Sequence, residues 1–163
     1  EPVRAALREA IEAARKIAPF AINGWVLLPD HLHCLWTLPE GDADFGKRWA
    51  LIKRFVSRRC GPALHNPEWL SDSGRQRHES TLWQRRFWEH LIRDDNDFQR
   101  HMDYLHFNPV RHGLVSQVRD WPYSTFHRSV RQGVYPLDWG GSVDEHPEAC
   151  FGEPGESGWV DTL

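Results

Sequence analysis

At 163 residues and 40% hydrophobic content, the chain has apolar material for one compact domain, placed at residues 1–140. No apolar run reaches the roughly 18 residues of a membrane span, and the N-terminus lacks the layout of a secretory signal, so a cytoplasmic protein with no membrane partner is expected. The net charge of −3 hides a strong partition: residues 1–43 carry −2, residues 44–131 carry +6 and residues 132–163 carry −7.

Residues 3–17 place Val3, Leu7, Ala10, Ile11, Ala14 and Ile17 at helical spacing and stop before Pro19, which predicts an amphipathic helix. Phe20 to Leu28 and His31 to Leu38 are two apolar, strand-forming runs separated by Pro29-Asp30, the pattern of a β-hairpin. Residues 44–60 open with an aspartate at the cap and carry Phe45, Trp49, Ile52 and Val56 along one stripe beside a basic face, which predicts a second helix.

Gly61 to Ser80 reads as a long polar loop. Thr81 to Ile92 has the residue types of a strand, and Asp94-Asp95-Asn96 starts a third helix running to about Asn108. Segment 109–131 mixes turns with one or two short helices, and 141–163 reads as an acidic, irregular tail that a basic groove would attract. The order helix, strand, strand, helix, strand, helix predicts an α+β fold with helices packed on an antiparallel sheet. The chain opens on Glu1 in an already helical pattern, and a further strand before residue 1 would complete a ferredoxin-like sandwich.

The basic middle is studded with Trp49, Trp83, Phe87, Trp88, Phe107, Trp121 and Phe126, a composition that joins phosphate attraction to base stacking. A solvated basic face over an aromatic core is the blander reading of the same residues. Cys34, Cys60 and Cys150 are odd in number and lack CxxC spacing, so neither a disulfide framework nor a cysteine zinc site is indicated.

Two groups of residues are candidates to carry chemistry. His31 and His33 are two apart on a strand, so both imidazoles leave the same face while Leu32 points the other way, and together they make half of a divalent-metal site. With ten histidines in the chain the spacing alone says little. On the third helix, His101, Tyr104 and Asn108 fall on one flank beside the apolar stripe of Phe98, Met102 and Leu105. Asn108 offers an amide oxygen to a hard cation and Tyr104 a hydroxyl one turn away, although Asn108 precedes Pro109, which disfavours helical geometry there.

The stretches WVLLPDHLHCLWTLP (Trp25 to Pro39), LWQRRFWEHLIRDDNDF (Leu82 to Phe98), YLHFNPVRHGLV (Tyr104 to Val115) and DWPYSTFH (Asp120 to His127) together resemble the REP-associated tyrosine transposases, a branch of the single-tyrosine HUH transposases. That resemblance implies an HUH nuclease fold and a metal-dependent enzyme that cuts and rejoins single-stranded DNA beside REP-type hairpins through a 5′-phosphotyrosine. It implies Mg²⁺ or Mn²⁺ on His31 and His33, Tyr104 as nucleophile, and Asn108 where relatives often carry Gln as third ligand, with His106 or a water as substitutes. DNA would be held by Lys47, Arg48, Lys53, Arg54, Arg58, Arg59, Arg85, Arg86 and Arg111, by a monomer or a homodimer. The competing readings are a non-catalytic hairpin binder on the same scaffold, another HUH enzyme such as a replication initiator or relaxase, and a structural zinc domain.

Overall fold

The computed structural model describes residues 2–64, 66, 68, 72, 81–83 and 88–140, and within these the chain forms two compact units. The first comprises Glu1–Ala21 with Leu38–Phe87, the second Ile22–Thr37 with Trp88–Leu163. The acidic tail, Arg85 and Arg86 lie outside the described residues.

The first unit is a pair of packed helices, α1 (Pro2–Ile17) and α2 (Phe45–Leu64). Ala6, Ala10 and Ala14 recur every fourth residue on the buried face of α1, and such small side chains let helices approach closely. Ile17, expected in the apolar stripe, is 63% exposed. On α2 the buried positions are Arg48, Ile52, Val56 and Cys60, a stripe turned by one residue from the expected Phe45-Trp49 line. The helix also runs four residues past its expected end at Cys60, through Gly61-Pro62.

In the second unit, β1 (Ala21–Leu27) and β2 (Leu32–Thr37) form the expected hairpin, closed by Leu28 N–H donating to the His31 carbonyl at 2.9 Å. The other edge of β1 is also engaged: Val26 bridges Ser124 in antiparallel fashion, Leu27 N–H donates to Tyr123 O and Thr125 N–H to Trp25 O. The third helix, α3 (Asp95–Arg111), begins where Asp94 accepts a capping bond from Asp97 N–H at 2.8 Å. A short 3₁₀ turn (Val118–Asp120) and α4 (Phe126–Arg131) follow, as the turn-rich reading of this region expects.

Helix α3 differs from the amphipathic reading by being buried almost all round from His101 to Pro109. It also passes Pro109 and ends at Arg111, so Asn108 keeps helical geometry and its one-turn relation to Tyr104 holds. Proline costs one backbone bond there, within a turn of the end where carbonyls lose their partners anyway. His112 and Gly113 then close the helix: Gly113 adopts φ 66°, and Leu114 N–H reaches back to Pro109 O at 2.9 Å. At Gly24 the helix comes so close to β1 that a Cβ would lie 2.6 Å from Met102 Sδ.

The strand expected over Thr81 to Ile92 is absent from the described part of that segment: residues 81–83 form a turn and 88–92 have no regular structure. Side-chain bonds anchor the described parts instead, since Trp83 Nε1 donates to Ser57 Oγ at 2.9 Å and His90 Nε2 donates to the Asp97 carboxylate at 2.8 Å. The fold is thus α+β, with a two-stranded sheet extended by a bridge and α3 packed against it. No described helix is long and apolar enough to cross a membrane.

Candidate active site

The hairpin and α3 meet within the second unit, and four of the residues singled out in the sequence, His31, His33, Tyr104 and Asn108, come together there. His31, just before β2, and His33 within it bring their imidazoles side by side, ring centres 5.0 Å apart and nearly perpendicular. The His33 ring stands edge-on to the Tyr104 ring at 5.5 Å, and its Nε2 lies 3.2 Å from the Asn108 side-chain amide nitrogen. Tyr104 and Asn108 are both buried, the latter completely. In this orientation Asn108 donates to His33; a half-turn of the amide exchanges Nδ2 for Oδ1 and presents an oxygen instead.

His31 donates from Nδ1 to Asp30 Oδ1 at 2.7 Å. That bond holds the Asp30 carboxyl below the ordinary carboxylate range, against a smaller opposing effect of burial. The other nitrogen, His31 Nε2, is buried and has no hydrogen-bond partner among the described residues. A buried, orphaned imidazole nitrogen beside a second imidazole and a carboxamide is the donor set a divalent cation requires, so the residues present fit a metal ion.

Two further side chains border the site, Arg111 from the expected DNA contacts and His112, which no sequence signal placed there. His112, the cap of α3, lies with its ring 5.3 Å from His31, and Arg111 holds its guanidinium carbon 5.7 Å from the centre of the Tyr104 ring. The HG dipeptide after VR signals a helix end, but nothing in the pattern says that the end abuts the hairpin turn.

His106 turns elsewhere. Its ring packs against Phe126 and Tyr135, at 5.6 and 5.1 Å, and burial pushes its imidazole down to about 3, so it is a neutral core residue rather than a substitute ligand. Tyr135 is equally committed: its hydroxyl donates to Asp103 at 2.6 Å and accepts from Gln99 at 2.8 Å, and burial pushes its phenol well above the usual range.

Arg48 is the clear departure among the expected DNA contacts. Its side chain is fully buried, and its guanidinium donates to Pro19 O, Asp44 O and the Asp42 carboxylate, so no donor fork faces a phosphate. Lys47, Arg54, Arg58 and Arg59 on the same helix are exposed, and Lys53 is half-buried with its ammonium 5.7 Å from the Trp83 ring. Trp121 packs on Val26, Leu28 and Leu105 and donates to Leu27 O, whereas Trp88 is 43% exposed.

Among the described residues, one metal-capable trio of ligand atoms lies within 4.8 Å of each other, and it is a different group: His90, Asp97 and His101. His90 Nε2 and the Arg93 backbone donate to the Asp97 carboxylate, and His101 Nδ1 donates to the Asp97 carbonyl. The bond from His90, more than any other influence, keeps that carboxyl far below the carboxylate range. The distances would suit an ion, but the His90 and His101 rings stack at 4.6 Å and 12°, so their lone pairs lie in separate planes and sharing a cation requires one ring to turn.

No protein-family model matches the chain. Individual relatives do: the REP-associated tyrosine transposase of Escherichia coli (strain K12) is 50% identical over 139 residues, spanning 85% of this chain and 74% of the relative. This chain belongs to the REP-associated tyrosine transposase family. A putative REP-associated tyrosine transposase of Haemophilus influenzae is 45% identical over 138 residues, 84% of this chain and 76% of that one. A solved REP-associated tyrosine transposase bound to a REP hairpin superposes with a TM-score of 0.73 at 47% identity, covering 91% of this chain and 78% of its own. The α+β fold is therefore of the HUH transposase type, and as a family member the protein is a tyrosine transposase, a DNA-cleaving enzyme.

Proposed function

We propose that this transposase cuts and rejoins single-stranded DNA beside a REP-type hairpin, with Tyr104 as nucleophile and His31, His33 and Asn108 as the ligands of a Mg²⁺ or Mn²⁺ ion. The observation that carries the proposal is the contact of the His33 ring with both Tyr104 and Asn108, which gathers a phenol, a carboxamide and two imidazoles around one point. Tyr135 is tied to Asp103 and Gln99, and Tyr123 lies edge-on to Trp121, so neither competes for the role.

The Tyr104 phenolic oxygen attacks phosphorus in line with the leaving oxygen. A bond forms between Tyr104 and phosphorus, the bond from phosphorus to the 3′ oxygen breaks, and that oxygen takes up a proton as the phenol loses its own. The products are a 5′-phosphotyrosine and a free 3′-OH. One phosphodiester has replaced another, so rejoining runs the step backwards and needs no nucleotide, in keeping with the lack of a GxxxxGK[ST] loop in the sequence. A bound divalent ion supplies Lewis acidity toward a non-bridging phosphate oxygen. Arg111, whose guanidinium carbon lies 5.7 Å from the centre of the Tyr104 ring, would neutralise the same phosphate. Exposed Lys47, Arg54 and Arg58 attract the backbone without reading sequence.

The hairpin in the solved relative is the reason to choose hairpin DNA as substrate. The test is an oligonucleotide carrying a palindromic hairpin and a single-stranded flank, incubated with Mn²⁺ or Mg²⁺. A covalent protein–DNA adduct is expected for the natural sequence and none for Tyr104→Phe. Tight hairpin binding without any adduct would instead favour a binder that has lost turnover.

A further inference from the structure

We propose that Asp30 is a positioning residue of the candidate site, holding His31 in the Nδ1–H tautomer so that the Nε2 lone pair faces inward. The assignment rests on the reading of His31 and His33 as cation ligands. Its basis is local and begins in the turn. Pro29-Asp30 joins β1 to β2, and the bond from Leu28 N–H to His31 O closes that turn tightly enough to set the side chains of Asp30 and His31 beside each other.

A neutral imidazole has one N–H and one lone pair, and which nitrogen has which is decided by the partners on either side. Here the partners are unequal. A carboxylate only accepts, and it sits 2.7 Å from Nδ1, a distance that belongs to a charge-assisted bond. Nε2 has no hydrogen-bond partner among the described residues, and the flanking rings are those of His33 and His112. Without Asp30 nothing described here holds the proton on Nδ1, and the Nε2–H tautomer would place a hydrogen where a cation needs an electron pair. Loss of such outer partners typically weakens metal affinity about 10- to 100-fold.

The bland alternative is an ordinary exposed ion pair that tidies a turn, since the Asp30 side chain is 84% exposed. The same exposure makes the position testable, because Asp30→Ala removes little packing and the variant will fold. Two measurements on the whole chain separate the readings. Long-range ¹H–¹⁵N NMR of the His31 ring, without metal, should show one Nδ1–H tautomer in the natural protein and a mixture in Asp30→Ala; an unchanged tautomer overturns the assignment. Mn²⁺ titration followed by EPR should show affinity about 10- to 100-fold weaker in Asp30→Ala and largely restored in Asp30→Asn, which keeps an acceptor oxygen. Affinities within twofold across all three proteins also overturn it. A natural chain that takes up no Mn²⁺, with a normal tautomer shift in the variant, sinks the ligand reading of His31 and His33 instead.

Discussion

The Asn108 amide lies 3.2 Å from Nε2 of His33, joining a fully buried side chain on α3 to a strand 75 residues away in sequence. This pair ties the two elements of the site together before any substrate arrives. Removing one partner deletes a part-buried hydrogen bond between helix and strand, so Asn108→Ala and His33→Ala should each cost about 1–3 kcal/mol of stability in the absence of metal. The double variant should cost less than the two added together, with a coupling on the order of 1 kcal/mol. Urea denaturation of the four proteins measures this directly, and strict additivity would show that the contact does not bind helix to strand.

Three arginines on α2 have two different fates. Arg48 is spent on Pro19 O, Asp44 O and Asp42, whereas Arg54 and Arg58 face solvent. Arg48→Ala should lower stability by about 2–3 kcal/mol, because it leaves charge-assisted acceptors without their donor. Arg54→Ala and Arg58→Ala should leave melting nearly unchanged and weaken hairpin affinity, each reducing the slope of log affinity against log salt by roughly 0.7–0.9. Thermal melts alongside anisotropy titrations at several salt concentrations test both halves.

How far these residues were legible beforehand depends on the range of the physics involved. The hairpin, α1, α2 and the start of α3 follow from periodicity, turn chemistry and an aspartate cap, all local signals. His31, His33, Tyr104 and Asn108 were recognisable as types able to bind metal or attack phosphorus, and the resemblance supplied their grouping. Arg48 was misplaced because a basic residue beside an aromatic stripe looks solvated, while its burial depends on Asp42 and a carbonyl 29 residues away. The described parts of segment 81–92, residues 81–83 and 88–92, depart from the expected strand because aromatic residues favour strands only when a partner edge exists. His112 and Asp30 were invisible as site neighbours, since no sequence pattern specifies that a helix cap and a hairpin turn will meet.

His106 gives the protein a built-in sensitivity to acid. Its folded value is about 3 against an ordinary 6.5, set by burial first and by Arg128 second. A depressed folded value means that below pH 6.5 the unfolded chain binds a proton that the native state refuses. The stability this group confers is fully present above pH 6.5 and drains away as pH falls toward 3, by about 1.4 kcal/mol per pH unit once the unfolded imidazole is charged. Urea midpoints at pH 7, 6 and 5 should fall accordingly, and His106→Gln should flatten the part of that decline due to this residue. A variant with the same pH slope as the natural chain would mean that another group carries the effect.

Gly24 sets how closely α3 approaches β1 beside the candidate site. Nothing in its backbone angles demands glycine; the demand is steric, because a Cβ there would meet Met102 Sδ at 2.6 Å and Leu105 Cδ1 at 3.2 Å. Met102 and Leu105 lie on α3 on either side of Tyr104, so Gly24→Ala must either push the helix off β1 or displace the thioether. Overpacking of this kind costs about 1–3 kcal/mol, and the flexibility of methionine argues for the lower end. A displacement of a few tenths of an ångström also separates Tyr104 from His33, so adduct formation should fall by more than the loss of folded protein explains. Met102→Ala in the same chain vacates the space a Cβ would take and should return much of the activity, while its own cavity lowers stability further. If the double variant regains no activity, Gly24 serves the site by some route other than the separation of helix and strand.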